Sequence, residues 1–229
     1  MHKYLLATSL LSGCATFGTF QRADTLGEGG IQVALEPSMW GGSFEGKGGM
    51  VPQASVSMRY GVGERVDIGA RVGTGGFEAL GKFQLTDPEY DAVVVSLAPS
   101  GGGFGFGSTE ASAAILSVQV PLLIGLRIGE DHQLVLAPKV HDWIFFAAAK
   151  EGASVAHVVS AGGSVGLAIR LGKRFTLLPE VAMLKPVWMY GANKYGDATY
   201  NPFGDDVVMS QYSVGLLVDL GRPERRRWR

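Results

Sequence analysis

From Gly29 to Leu220 the chain alternates, one residue at a time, between apolar side chains and small or polar ones. A repeat of two is that of a β-strand, whose successive side chains point to opposite faces. The clearest stretch sets Val66, Ile68, Ala70 and Val72 against Asp67, Gly69 and Arg71. Ten such stretches follow one another, over 31–37, 53–60, 66–72, 77–85, 93–98, 116–128, 133–141, 159–170, 175–183 and 211–220. They predict ten strands in sequence, the fifth the least regular.

Glycine supports a turn-rich β architecture. The 34 glycines among 229 residues are about twice the usual share, and glycine weakens helices and punctuates strands. Short turn sequences stand at Gly61 to Glu64, Asp87-Pro88-Glu89, Gly129-Glu130-Asp131 and Gly172-Lys173. Between them fall longer joins, expected as loops, at 41–49, 101–112, 148–154 and 191–206. The join at Gly73 to Gly76 is short. Short and long connections in alternation match an antiparallel up-and-down order with the two kinds at opposite ends.

The polar faces decide what surrounds the strands. Only 18% of the residues are charged, fewer than the quarter or so of a soluble domain. The faces opposite the aliphatic rows hold mainly Gly, Ser, Ala and Gln, with Glu36, Arg59, Asp67, Arg71, Glu78, Lys82, Arg127, Lys139, Arg170, Glu180 and Asp219 among them. Opposite charges stand at similar depths, as for Asp67 and Arg71, Glu78 and Lys82, and Lys139 near Glu180. Small residues and matched charges suit a narrow barrel interior, and unbroken aliphatic faces suit lipid. The expectation is all-β: a single antiparallel up-and-down transmembrane β-barrel of about 10 strands. Trp40, Tyr60, Trp143, Trp188 and Tyr212, near strand ends, are expected in an interfacial belt. The alternative is a soluble lipocalin-like carrier whose aliphatic faces line a cavity for an apolar ligand, although strand one lacks a Gly-x-Trp start.

The N-terminus has a basic start at Lys3, an apolar run from Tyr4 to Leu11, and small residues before Cys14, the layout of a secretory signal. Leu11-Ser12-Gly13-Cys14 resembles the bacterial lipoprotein signal. That resemblance implies lipidation, including palmitate, at Cys14 and handling by the lipoprotein-processing machinery. Ala15 after the cysteine, where an aspartate implies inner-membrane retention, points to the Gram-negative outer membrane. The chain then divides into a signal peptide (1–13), a lipid-anchored tether (14–28), the barrel (29–221) and a basic tail (222–229). Ser213, Gly215, Val218 and Leu220 resemble the C-terminal assembly signal of outer-membrane barrels, with aliphatics in place of its aromatics; this implies the barrel-assembly machinery and membrane lipid as partners.

Chemistry is sparse. Arg59, Arg127 and Arg170, with Asp67 and Asp219 at comparable height, are candidates for a constriction that sets ion preference. A barrel of this size is expected to be filled by its own side chains, with Lys139 and Glu180 meeting across strand eight as a structural pair. His141-Asp142 and Asp205-Asp206 resemble, thinly, the paired residues of omptin-like proteases, and lipid A-modifying enzymes share the barrel form. Neighbouring strand residues point apart, so His141 and Asp142 do not converge. The Gly101–Gly107 tract lacks the lysine and the strand-to-helix setting of a phosphate loop and is expected as a flexible loop bearing two aromatics. The histidines are scattered, and neither a metal site, a cofactor nor nucleic-acid binding is indicated. The expected role is structural or passive permeation.

Overall fold

The computed structural model describes residues 16–44, 47–87, 92–107, 111–129, 131–149, 152–193, 196–199 and 207–221. They form strands β1 (Ile31–Phe44), β2 (Lys47–Gly63), β3 (Val66–Gly73), β4 (Gly76–Gln84), β5 (Val93–Leu97), β6 (Ser100–Gly107), β7 (Ala111–Ile128), β8 (His132–Ala149), β9 (Gly152–Arg170), β10 (Phe175–Asn193), β11 (Gly196–Thr199) and β12 (Val208–Asp219). Successive strands pair antiparallel, and the sheet closes because Val218 of β12 lies opposite both Val33 of β1 and Phe175 of β10. β5 and β6 stand end to end as one stave between β4 and β7. β11 is a short return on the upper part of β10. The result is a closed antiparallel barrel of ten staves.

The break between β5 and β6 falls at Pro99, which has no amide to give the ladder. Neighbouring groups bridge it: the Ala98 amide donates to the Pro121 carbonyl at 3.0 Å, and the Gly81 amide to the Pro99 carbonyl at 2.9 Å. The glycine tract after it, expected as a flexible loop, is strand β6, paired with both β4 and β7. A Cβ at Gly102 would stand 2.0 Å from the Phe77 carbonyl oxygen, and one at Gly103 2.3 Å from that of Ile115. The glycines are there because three backbones pass so closely.

Most strands outrun the alternating stretches that predict them. β7 to β10 hold 18 or 19 residues each, against the 9–11 or so that a tilted strand needs to cross a bilayer. Much of 41–49, 148–154 and 191–206, expected as loops, is strand. Ladder hydrogen bonds continue there through small residues without alternation. β3 and β4 do stop at Gly73 and Gly76, so the rim is lowest at Thr74 and Gly75.

Side-chain exposure separates two surfaces. Val56, Met58, Ile68, Val72, Val140, Val165 and Val214 are all exposed on the outside, while the opposite face of each strand is enclosed. A soluble carrier requires the reverse. On β8 the outward row runs Leu134, Leu136, Pro138, Val140 before reaching Asp142; on β10 it runs Phe175, Leu177, Pro179, Val181, Met183 before Lys185. Each charge stands ten residues above its strand's first residue. At 3.3 Å per residue and a tilt of about 40°, the apolar band is about 25 Å tall.

The expected aromatic belt divides. Tyr60, Trp188 and Tyr212 are exposed on the outside, and Trp188 stacks on Tyr190 with centroids 6.1 Å apart. Trp40 and Trp143 instead turn inward and are buried. An aromatic ring inside a polar lumen needs an apolar partner, and Phe17 supplies it, 6.4 Å from Trp143 edge to face.

Candidate functional site

The lumen is occupied. Ten strands about 4.8 Å apart, tilted by about 40°, give a radius of about 10 Å, which after inward side chains leaves room for one extended chain. From Thr16 onward, the stretch expected as an external tether is that chain. Phe17 and Phe20 are fully buried and Asp24, Thr25 and Leu26 nearly so. The segment enters at the turn end, where the Gly29 amide donates to the Gly61 carbonyl at 2.9 Å and the Gly61 amide to the Gly30 carbonyl at 2.8 Å. It rises past Asp67, Gln84 and Gln133 to Glu180, and ends beside Gln211 and Trp143. Cys14, the signal peptide, Asp205-Asp206 and the basic tail lie outside the described residues.

The wall holds this segment chiefly by its main chain. Gln211 Oε1 accepts the amides of Phe17 and Gly18, both at 2.9 Å. Glu180 accepts those of Thr19 at 2.7 Å and Phe20 at 2.8 Å. Gln133 takes the Ala23 amide at 2.9 Å, Gln84 that of Thr25 at 3.0 Å, and Asp67 that of Leu26 at 3.0 Å. The carbonyls are met by donors. Lys139 donates to Phe17, Arg59 to Phe20 at 3.1 Å, Arg71 to Thr19 at 3.2 Å, Ser96 to Ala23 at 2.6 Å and Lys82 to Asp24 at 2.6 Å. An unpaired buried amide or carbonyl costs about 1–3 kcal/mol, so an irregular segment persists inside the barrel only because partners are set along its path.

Where opposite charges share a depth, the contacts are cross-strand. Arg71 binds Glu36 at 2.7 Å and Glu78 at 2.5 Å, and Lys82 binds Asp67 at 2.9 Å. Register explains this: Asp67 lies opposite Lys82, and Arg71 opposite Glu78. Residues four apart on one strand are about 13 Å apart, against about 5 Å for a facing pair. Arg71 also stands 5.3 Å over the Phe20 ring, and Ser55 and Ser57 donate to Glu36 at 2.8 and 2.5 Å. At the turn end Arg170 is 3.6 Å from Asp219, which accepts from Gln32 at 2.9 Å. Arg127 reaches Asp24 of the inner segment at 3.2 Å.

Lys139 and Glu180 do not meet as expected. Among the described residues no ion pair joins them; the inner segment lies in their path, and both bind its main chain. His141 is fully buried and stacks on Trp143 at 3.9 Å. Asp142 points outward, 3.3 Å from His157, so the dipeptide diverges as alternation requires. Of the assembly-signal residues, Ser213 faces the lumen and donates to the Glu180 carbonyl at 3.1 Å; Leu220 is exposed on the outside. The residues that sequence reasoning missed are Gln84, Gln133 and Gln211, all buried. Their signal was their place on inward faces, where a buried amide needs hydrogen-bond partners.

No protein-family model matches the sequence, and no curated protein matches it either. Among solved structures, the chain is similar to the translocator domain of the autotransporter NalP from Neisseria meningitidis, with 10% identity over 95% of both chains and a TM-score of 0.43. It is also similar to Ail, the attachment invasion locus protein of Yersinia pestis, with 13% identity over 84% of this chain and 99% of that one and a TM-score of 0.40. A third is Neisserial surface protein A, with 8% identity over 83% and 97% of the two chains and a TM-score of 0.40.

Proposed function

We propose that this protein is an outer-membrane β-barrel of structural or narrow-permeation role, closed at rest by its own residues 16–30. The observation that carries the reading is the outward apolar band, about 25 Å tall by strand geometry and ending at Asp142 and Lys185, around a polar lumen. A closed barrel leaves no unpaired strand edge in hydrocarbon, which is the condition for spanning with strands. The lumen is charged and hydrogen-bonded, so the segment inside it decides whether anything passes. Recovery in the outer-membrane fraction, with heat-modifiable gel migration, tests the location. Conductance in planar bilayers, before and after loosening the segment, tests the permeation role; silence in both conditions leaves only the structural one.

The lipid anchor belongs to the same reading. Cys14 precedes Thr16 by two residues, a reach of about 7 Å. Thr16 lines the opening beside Gly73, Thr74 and Gly75, where the rim is lowest. Acyl chains on Cys14 are proposed to reach lipid across that rim.

A further inference from the structure

The inner segment shows what kind of ligand the lumen is built to hold. Gln211, Glu180, Gln133, Gln84 and Asp67 accept its amides in succession, and the buried cations meet its carbonyls, so most of the recognition reads groups that every residue carries. Polar side chains are held too, since Thr19 and Thr25 donate to Glu180 and Gln84 and Asp24 accepts from Arg127; aromatic side chains are read at two places. Phe17 is fully buried against Trp40 and Trp143, and Phe20 is fully buried beneath Arg71. Between them, a Cβ at Gly18 would stand 2.3 Å from the Phe20 ring, so a side chain there would push that ring from its buried place. Phe20 itself has a φ of 47°, a left-handed conformation unfavourable for a residue with a Cβ. Its amide, on Glu180, and its carbonyl, on Arg59, hold it there.

We propose that the lumen is a polypeptide-binding channel that accepts an extended chain in trans, reading the main chain throughout and side chains chiefly at the Phe-Gly-x-Phe pattern of Phe17 to Phe20. The barrel's own N-terminal segment is the resident occupant, and an extended peptide of the same pattern competes with it. The inference rests on the reading of the lumen as a passage closed by that segment.

The test uses the full chain with a protease site placed at the exposed Glu28 and Gly29, cut only after refolding, so that the inner segment is held without a covalent link. Fluorescent peptides of residues 16–26 then compete for the lumen, followed by anisotropy and in parallel by bilayer conductance. The native peptide is expected to bind. A Gln21→Ala peptide should stay within about tenfold of it, because the Gln21 side chain makes no hydrogen bond among the described residues. Phe20→Ala, which empties a buried aromatic site, and N-methylation of the Phe20 amide, which removes one of the donors to Glu180 and puts a methyl group against its carboxylate, should each weaken binding about a hundredfold or more. Equal binding of the N-methylated peptide overturns the main-chain reading. Conductance after cleavage with no peptide binding overturns the inference and leaves the passage standing; silence that persists after the cut segment and the peptide are washed out overturns the passage, and the inference with it. Refolding the uncut chain with excess labelled peptide gives a second measurement, and exclusion of the native peptide there as well as from the cut chain counts against the proposal.

Discussion

Lys139 and Glu180 face one another's side of the lumen and are joined through a third party: Lys139 donates to the carbonyl of Phe17, while Glu180 accepts the amides of Thr19 and Phe20. The main chain of four residues thus lies between an ammonium and a carboxylate with its dipoles turned to suit both. A buried charge needs a partner, and here the partner is peptide groups. The wall charges and the inner segment therefore depend on each other.

Glu180→Gln should loosen the segment without unfolding the barrel. The amide that replaces one oxygen presents a donor to a donor, and hydrogen bonds to charged groups contribute about 1.5–3 kcal/mol each. The equilibrium constant for seating the segment should fall by about ten- to a hundredfold. The measurement is single-channel recording, with frequent openings expected in the variant and rare ones in the parent. Unchanged silence, with normal heat-modifiable migration, removes the gating role given to the segment.

A second variant acts at the base. Gly61 and Gly29–Gly30 exchange main-chain hydrogen bonds, and a Cβ at Gly61 would stand 1.9 Å from the Gly27 carbonyl oxygen. Gly61→Ala must therefore push residues 27–30 away from β2 while every luminal charge stays in place. Hydrogen exchange at the Leu26 amide should quicken by tenfold or more, with little change for the amides of β8 and β9. Equal protection in the variant and the parent shows that the base contact does not hold the segment.

The sequence disclosed the wall far better than its contents. Rows such as Val66, Ile68, Ala70 and Val72 were readable because a strand with lipid on one side and a polar lumen on the other must alternate. Above the band both faces meet water, alternation lapses, and the strand tops of β8, β9 and β10 looked like loops. Residues 16–30 left no periodic trace because main-chain bonds hold them, and main-chain bonds impose no side-chain pattern. What the sequence did carry was a set of inward amides, Gln84, Gln133 and Gln211, whose oxygens accept main-chain amides of the inner segment. Trp40 and Trp143 were misplaced for the same reason: their apolar partner, Phe17, lies in the segment assigned to the outside.

Arg71 tests the polar core of the wall. It binds Glu36 and Glu78 and the Thr19 carbonyl, and it is almost wholly buried. Arg71→Met leaves two carboxylates enclosed without their cation, a loss of about 3–5 kcal/mol. Urea unfolding in detergent should show it as a lower midpoint. Adding Glu36→Gln and Glu78→Gln to the same chain should recover part of the loss, since the unpaired charges are then gone. A single substitution with no effect places these groups in water rather than in an enclosed lumen.

The outer surface has its own test. Val165 is 52% exposed and lies five positions above Arg170, the last residue of β9, near the middle of the band. Arginine there should cost about 2–4 kcal/mol in a bilayer, and about 0–1 kcal/mol where the wall has left the hydrocarbon. Phe146, exposed at 42% and four residues above Asp142 on β8, is the matched upper site. Unfolding from lipid vesicles should separate Val165→Arg from Phe146→Arg by that margin. Equal losses mean that both positions meet the same solvent, and the membrane assignment fails.

The proposed lipidation of Cys14 would link the anchor to the closed state. Thr16 is tied to Gln211, whose amide donates to its hydroxyl at 2.8 Å, and it lines the opening under the low rim at Thr74 and Gly75. On the proposed lipidation, a lipid two residues before Thr16 would tether the upper end of the segment, while the Gly29–Gly61 contact tethers the lower. With both ends fixed, the segment leaves the lumen only by bowing; with the upper end cut loose, it can slide out toward the turn end. Cys14→Ser should therefore abolish incorporation of labelled palmitate and also raise channel opening, by about tenfold if the tether contributes about 1.4 kcal/mol to seating. Palmitate labelling that persists in the variant rules out this cysteine as the anchor. Lost labelling with no change in opening shows that the anchor, wherever its chains lie, does not hold the segment in place.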